Sequence, residues 1–215
     1  MPKVYLLRHG QSEANVRGIL AGPDNSVNLS QDGEKESRLI AKHLQKINFT
    51  QIYTSPISRC LQTIDPLIAT KPQIPLFKEE RIQEMNYGDW NGKALKALSK
   101  KREWKSIQVQ PSKFKFPKGE SFVQLRRRVQ SFLNQIEPVP GPILVVSHGD
   151  VIKMMLTCTL DLSTDNFQKF LIEPASISII NYEDKVRNVI TSNQRLGRAT
   201  LREKFGSILL GGENS

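Results

Sequence analysis

The sequence predicts a single α/β domain built on a largely parallel sheet. Short β-prone apolar runs alternate with longer segments whose apolar residues recur at helical spacing, the pattern of βαβ units. Ile143-Leu144-Val145-Val146 is uninterrupted by polar residues, as in a central strand covered on both faces. A chain of 215 residues is long enough for one well-buried core.

The elements follow in order. Val4–Leu7 reads as a buried strand ending in Arg8-His9-Gly10-Gln11-Ser12. A loop rich in Gly, Pro, Asp and Asn runs to Asn28. Ser30 then caps a helix with Leu39, Ile40, Leu44 and Ile47 on one stripe. His43 lies at the edge of that stripe and reads as structural or solvated. Phe49–Thr54 is the second strand. Ser55-Pro56 reads as a cap with proline at the first helical position, and Pro66 as the kink or end of that helix. Ile74–Lys78 is a third strand, placed at an edge by Pro75. Residues 81–92 are aromatic, glycine-bearing and aperiodic, as in a loop packed over a pocket. Lys93–Trp104 looks helical, and Pro111–Gly119 is a loop. Phe122, Leu125, Val129, Phe132, Leu133 and Ile136 share a helical face. Arg126-Arg127-Arg128 spreads around that helix and reads as a solvated face. The apolar strand at 143–146 ends in Ser147-His148-Gly149-Asp150, and Val151–Leu160 is helical. Ser176–Tyr182 and Val186–Thr191 form a closing hairpin. The domain is expected over 1–192, followed by a basic, partly flexible tail over 193–215.

With 38% hydrophobic and 24% charged residues, composition argues against global disorder. The net charge of +10 favours anionic ligands without choosing among phosphate esters, nucleic acid and acidic membranes. No apolar stretch approaches the roughly 20 residues of a membrane-spanning helix, and Pro2-Lys3 begins no secretory segment, so a cytoplasmic protein with no membrane partner is expected. Cys60 and Cys158 share no metal or disulfide pattern and read as small buried hydrophobes. No metal and no cofactor are expected.

Two strands end alike, in Arg8-His9-Gly10 and Ser147-His148-Gly149. In a parallel sheet such tips share the edge where open α/β sheets bind ligands. Arg59, near the N-terminus of the helix after the second strand, lies near the same edge. Two histidines and two arginines there make an anion pocket with a chemistry of its own. Arginine forks match phosphoryl oxygens. One neutral imidazole can attack phosphorus while the other donates a hydrogen bond. The leaving alkoxide needs a proton. Glu84 is the best-placed carboxyl, with a pKa raised by burial, and Asp89 and Asp150 compete for the role.

These residues resemble the histidine phosphatase superfamily, also called phosphoglycerate mutase-like, from Lys3 to about Ser192. The resemblance rests on Leu6-Leu7-Arg8-His9-Gly10-Gln11-Ser12 with Asn15, on Ser55-Pro56-Ile57-Ser58-Arg59 with Gln62-Thr63, on Glu84 with Gly88-Asp89-Trp90-Asn91-Gly92, and on Val145-Val146-Ser147-His148-Gly149. It implies a three-layer α/β/α sandwich, mostly parallel with one antiparallel strand, and no metal. It further implies His9 as phosphorylated nucleophile, Glu84 as proton donor, and Arg8, Arg59 and His148 as phosphoryl ligands. Asn15 assists, with Gln11 and Ser12 counted among the phosphate-binding residues. Segments such as Phe116-Pro117-Lys118-Gly119-Glu120-Ser121 and Pro174-Ala175-Ser176 are similar to those of a branch described as phosphomutases, a label that is itself an inference about function.

The short stretch from Met85 to Ser147 favours a small-molecule phosphatase, because cofactor-dependent mutases of this family usually carry a longer insert there. A phosphomutase is the alternative. A non-catalytic basic protein that binds nucleic acid is a third reading. It is disfavoured by basic runs without interleaved aromatics. The expected partner is a small phosphate ester, selected by the Glu84 loop and the 93–119 segment; a homodimer is left open.

Overall fold

The structure, a computed structural model, describes residues 3–183 and 186–195. Its strands are β1 (Lys3–Arg8), β2 (Gln51–Thr54), β3 (Leu76–Lys78), β4 (Ile143–Ser147), β5 (Ser176–Glu183) and β6 (Val186–Arg195). They form one sheet in the order β3-β2-β4-β1-β5-β6. β1, β2, β3 and β4 are mutually parallel, and β5 pairs antiparallel with both β1 and β6. So β5 alone runs against the other five, as expected.

The helices are α1 (Glu13–Arg17), α2 (Gln31–Leu44), α3 (Ser58–Thr70), α4 (Leu95–Leu98), α5 (Arg102–Val109), α6 (Phe122–Ile136) and α7 (Gly149–Thr159). Strand alternation sends alternate residues into two cores. Leu7, Ile52, Leu144 and Val146 pack with Ile40 and Leu44 of α2 and Ile64 and Leu67 of α3. Val4, Leu6, Ile143 and Val145 pack with Leu125 and Phe132 of α6 and Met155 of α7 on the opposite face. β4 is buried along its whole length because both faces are covered. The result is the expected three-layer sandwich.

Several local readings need correction. Pro66 neither ends nor breaks α3. Proline at this position deprives the Gln62 carbonyl of its helical donor. The buried Ser37 hydroxyl of α2 reaches across to the Gln62 carbonyl at 3.0 Å and the Thr63 carbonyl at 2.9 Å. The lost helical bond is replaced by a tertiary one. Ser55 does not cap α3: Ile57 holds the cap position, without a side-chain bond, and the helix begins at Ser58. Lys93–Trp104 is not one helix but falls across α4 and the start of α5. Of the three consecutive arginines only Arg127 is exposed. Arg128 pairs with Glu120 at 2.7 Å and donates to the Arg81 and Gln83 carbonyls, while Arg126 donates to the Leu162 carbonyl. They tie α6 to neighbouring loops. Finally, β6 extends through Arg195, past the expected start of the tail. The rest of that tail, from 196, lies outside the described residues.

Other readings hold. Ser30 caps α2 by accepting from the Gly33 amide at 3.1 Å. β3 is an edge strand, His43 is exposed, and both cysteines are buried and free.

The Ser37 bridge yields a stability test. Ser37→Ala leaves the part-buried Gln62 carbonyl without its side-chain donor and is expected to cost about 1 kcal/mol. In a Pro66→Ala background residue 66 regains its amide, so the same substitution should cost measurably less. Denaturant unfolding of the four proteins of this cycle would show equal costs if the bridge were unrelated to Pro66.

Candidate active site

The parallel register brings three strand tips together. Arg8 is paired with Ser147 and Thr54 with Val146. The ladder continues one step beyond the strands, with the His9 amide donating to the Ser147 carbonyl at 3.0 Å and the Ser55 amide to the Val146 carbonyl at 2.9 Å. His9, His148 and Ser55 are thus fixed side by side at one edge of the sheet. The histidine rings lie 5.2 Å apart at 64°.

Arg59 binds them together. Its Nε donates to His9 Nε2 at 3.3 Å, and its Nη2 lies 3.2 Å from His148 Nδ1. A guanidinium only donates, so both nitrogens must present lone pairs. The remaining ring nitrogens agree. His9 Nδ1 lies 2.7 Å from the Gly10 carbonyl and therefore carries the proton; His148 Nε2 donates to Ser55 Oγ at 2.8 Å. Arg59 is itself buried, and its fork donates to the Gly22 and Asp24 carbonyls at 2.8 and 3.1 Å.

Arg8 donates through Nη1 to the Ile172 carbonyl at 2.6 Å, and its buried Nε has no partner among the described residues. The side chain passes over the start of α7, where a Cβ on residue 149 would lie 3.1 Å from Arg8 Cζ. Gly149 makes room for it. Gly10 and Gly33 play a similar part for the loop after β1. A Cβ on Gly33 would fall 2.0 Å from the Gln11 carbonyl oxygen, so α2 approaches that loop only through glycine.

Glu84 Oε2 lies 3.9 Å from His148 Nδ1, and its Oε1 accepts from the Met85 amide at 3.0 Å. Burial, then the nearby Asp150 carboxylate, push the Glu84 carboxyl up to about 7. Burial, then Arg59, drive both histidines well below the ordinary imidazole value. Near pH 7 the resting site therefore holds two neutral imidazoles beside a carboxyl that is about half protonated.

These groups open onto a cavity of about 250 Å³. Ser12 and Asn15 line it as well. Asn15 Oδ1 accepts from both the amide and the hydroxyl of Ser12, at 3.0 and 2.9 Å, in the capping box of α1. Only its amide donors are left for a ligand. Among the described residues no three His, Cys, Asp or Glu side chains converge as a metal-ligand set.

A sequence model of the histidine phosphatase superfamily (branch 1) matches residues 4–195. The chain belongs to this superfamily. It is 32% identical to Phosphoserine phosphatase 1 of Hydrogenobacter thermophilus, over 88% of this chain and 90% of that protein. It is 29% identical, over 86% of each chain, to a Proteus mirabilis protein named "Probable phosphoglycerate mutase GpmB". A mycobacterial glucosyl-3-phosphoglycerate phosphatase, solved with VO3, has the same fold at a TM-score of 0.81 and 21% identity, over 89% of this chain and 98% of that one. The chain is an enzyme of this phosphatase and mutase family, and a phosphatase reading fits its relatives. No described helix is long and apolar enough to cross a membrane.

Of the residues expected in this histidine phosphatase site, Arg8, His9, Ser12, Asn15, Arg59 and Glu84 line the cavity, and His148 stands behind them against Arg59. Gln11 does not line it. Its side chain accepts from Ser30 Oγ at 2.8 Å and its amide donates to Glu36, so it anchors α2 instead. Asp89 points away, 3.6 Å from Lys118 at the surface. Asp150 does line the cavity, held by the Tyr87 hydroxyl at 2.8 Å and Lys153 at 3.4 Å. Leu95 is the one residue of the 93–119 segment that reaches the cavity. The outer wall comes mostly from residues 19–22 and 171–172.

Sequence reasoning missed Ser55 and Thr63. Thr63 Oγ1 accepts the Gly10 amide at 2.9 Å and donates to the Arg59 carbonyl at 2.6 Å, joining the His9 turn to the Arg59 helix. Both residues stand inside the Ser55–Thr63 motif, which was the available signal.

The charge balance is testable by nitrogen NMR. Both His9 and His148 should be neutral at pH 6.5, with Nδ1 protonated in His9 and Nε2 in His148. Replacing Arg59 by Met should raise both titration points, since its charge opposes theirs. An imidazolium at either position at pH 6.5 in the unliganded protein would contradict this electrostatic account.

Proposed function

We propose that the protein is a metal-independent phosphomonoesterase working through a phosphohistidine at His9. One observation carries the reading. The His9 proton is tied at Nδ1, which leaves the Nε2 lone pair facing Arg59 in a buried site whose two arginines, Arg8 and Arg59, have no carboxylate within ion-pair distance among the described residues. An anion belongs there, and a nucleophile already faces it.

In this scheme Arg8, Arg59 and the α7 N-terminus neutralise the phosphoryl oxygens. His9 Nε2 attacks phosphorus, the bond from phosphorus to the ester oxygen breaks, and protonated Glu84 gives its proton to the departing alkoxide. The dianion's charge lifts the penalty on a protonated His148, which takes a second proton from solvent at Nδ1 as the ester binds, donates from it to a phosphoryl oxygen, and returns it to solvent when phosphate leaves. In the second half, Glu84 carboxylate takes a proton from water as the water attacks the phosphohistidine. The P–N bond breaks, and phosphate and neutral His9 are restored.

A phosphomutase would share the first half and pass the phosphoryl group to a second substrate hydroxyl; the relative bearing a mutase name keeps this as the second reading. Hydrolysis is favoured by the short 85–147 segment, which supplies only Tyr87 and Leu95 to the cavity. Cytoplasmic placement is supported by two unpaired cysteines, which suit a reducing compartment.

Incubation with a radiolabelled ester should leave acid-labile, alkali-stable label on the protein. His9→Ala should abolish that label and lower kcat/KM by about 10³-fold or more. Free phosphate release without a bisphosphate primer separates hydrolase from mutase; isomerisation without release would sink the hydrolase reading. The pH profile follows from the shifts. His9 must be unprotonated, which its lowered pKa ensures from below pH 6.5 upward. Glu84 must be protonated, so kcat/KM on an alkyl ester should fall as pH rises through about 7. Glu84→Gln should remove that alkaline limb and lower the alkyl-ester rate by about 10²–10⁴. An aryl ester with an acidic phenol should suffer far less. The substrate's own ionisation, at about pH 6, is common to both enzymes, so the difference between profiles isolates Glu84.

A further inference from the structure

We propose that the substrate is the phosphomonoester of a small, uncharged and partly apolar alcohol, not a phosphorylated carboxylic acid. The inference rests on the phosphatase reading above and adds the chemistry of the leaving group.

The cavity has two zones. Its floor holds Arg8 and Arg59, which the phosphoryl group occupies. Its outer wall is apolar, made by Ile19, Leu20, Ala21, Leu95, Leu171 and Ile172. Leu171 is 70% exposed and Leu95 38%, so the mouth of a charged site carries aliphatic surface that an apolar ligand would cover. At about 250 Å³ the cavity is smaller than the roughly 300–1,000 Å³ of sites for drug-sized ligands. A short alcohol matches that volume, whereas a larger leaving group would extend beyond the cavity mouth.

A phosphorylated acid such as phosphoserine or phosphoglycerate brings a second anion, which a cation offsets most strongly. Among the described lining residues the only lysine or arginine outside the floor is Lys153. It is already engaged. Its Nζ lies 3.4 Å from Asp150 and 3.2 Å from Gln168 Oε1, and sits 5.2 Å from the centre of the Phe167 ring. Asp150 is fixed in turn by the Tyr87 hydroxyl. A substrate carboxylate at this wall would have the neutral Asn15 amide as a donor but no free cation, beside aliphatic carbon and the Asp150 carboxylate, and burying a charge there is penalised. The same amide donors can serve a hydroxyl or ether of the alcohol without that penalty.

The test is a series of alkyl phosphates with the full chain, methyl to butyl, beside phosphoserine and 3-phosphoglycerate. Each buried methylene is worth about 0.8 kcal/mol, so kcat/KM should rise about fourfold per carbon until the wall is covered. Butyl phosphate should exceed both phosphorylated acids by at least about tenfold. Leu171→Asn, at an exposed position, should flatten the chain-length series. Asp150→Asn frees Lys153 and should shift the ratio of phosphoserine to butyl phosphate turnover toward phosphoserine by about tenfold; any effect on Glu84 acts on both substrates and cancels. A flat series, an unshifted ratio, or faster turnover of phosphoserine or 3-phosphoglycerate overturns the inference while leaving the phosphatase reading intact. Absence of both phosphate release and a phosphohistidine with every ester overturns the two together.

Discussion

The site is organised by a buried cation that has no ion-pair partner among the described residues. Arg59 is 1% exposed, and its fork ends on two carbonyls and two imidazole lone pairs. A charge taken out of water is costly unless other groups solvate it. The chain meets that demand with backbone. The loop after α1 turns so that the Gly22 and Asp24 carbonyls point inward, and Asn25 accepts from the Ser58 amide to hold this loop against α3. The same demand dictates both histidine tautomers. Remove the guanidinium and His9, His148 and the 18–25 loop lose their common reference.

That geometry is available only because the sheet is parallel where it matters. β1, β4 and β2 are neighbours running the same way, so their C-terminal ends lie in one row and a residue just past each strand faces the others. Glycine then governs how closely the helices follow. α2 abuts the His9 turn through Gly10 and Gly33, and α7 lets Arg8 pass through Gly149. A side chain at Gly33 would push α2 off the turn that aims His9.

The strands, their layering and the clustering of His9, His148, Arg8, Arg59 and Glu84 were legible because each depends on local pattern or on the sheet-edge rule. What was not legible depends on groups distant in sequence. Pro66 looks like a helix terminator until Ser37 of α2 supplies the missing donor. Ser55 before a proline looks like a cap, but its hydroxyl is taken by His148, 93 residues away. Arg128 looks solvated because helical spacing shows only which way it leaves the helix, not that the carbonyls of 81 and 83 come to meet it. Gln11 shares the motif of His9 and still faces away, toward Ser30. His9 lines the cavity while Gln11 anchors α2, and no feature of a five-residue motif separates the two.

Glu84 and Asp150 show how one pocket divides two carboxyls. Asp150 has both oxygens engaged, one by the Tyr87 hydroxyl and one by Lys153, and so serves as a fixed negative charge. Glu84 has one backbone donor and is buried, and the Asp150 charge adds to the penalty on its ionised form. The histidines respond to the same surroundings in the opposite sense: burial and the arginines oppose a positive ring just as burial and Asp150 oppose a second carboxylate. Neutral imidazoles at His9 and His148 and a carboxyl at Glu84 that keeps its proton far more readily than an exposed one therefore coexist near neutral pH, where an exposed imidazole would be substantially charged and an exposed carboxyl would have lost its proton. Dryness and charge placement widen the pH window from both ends at once. The burial that makes Arg59 expensive to keep is the same burial that makes His9 and Glu84 useful.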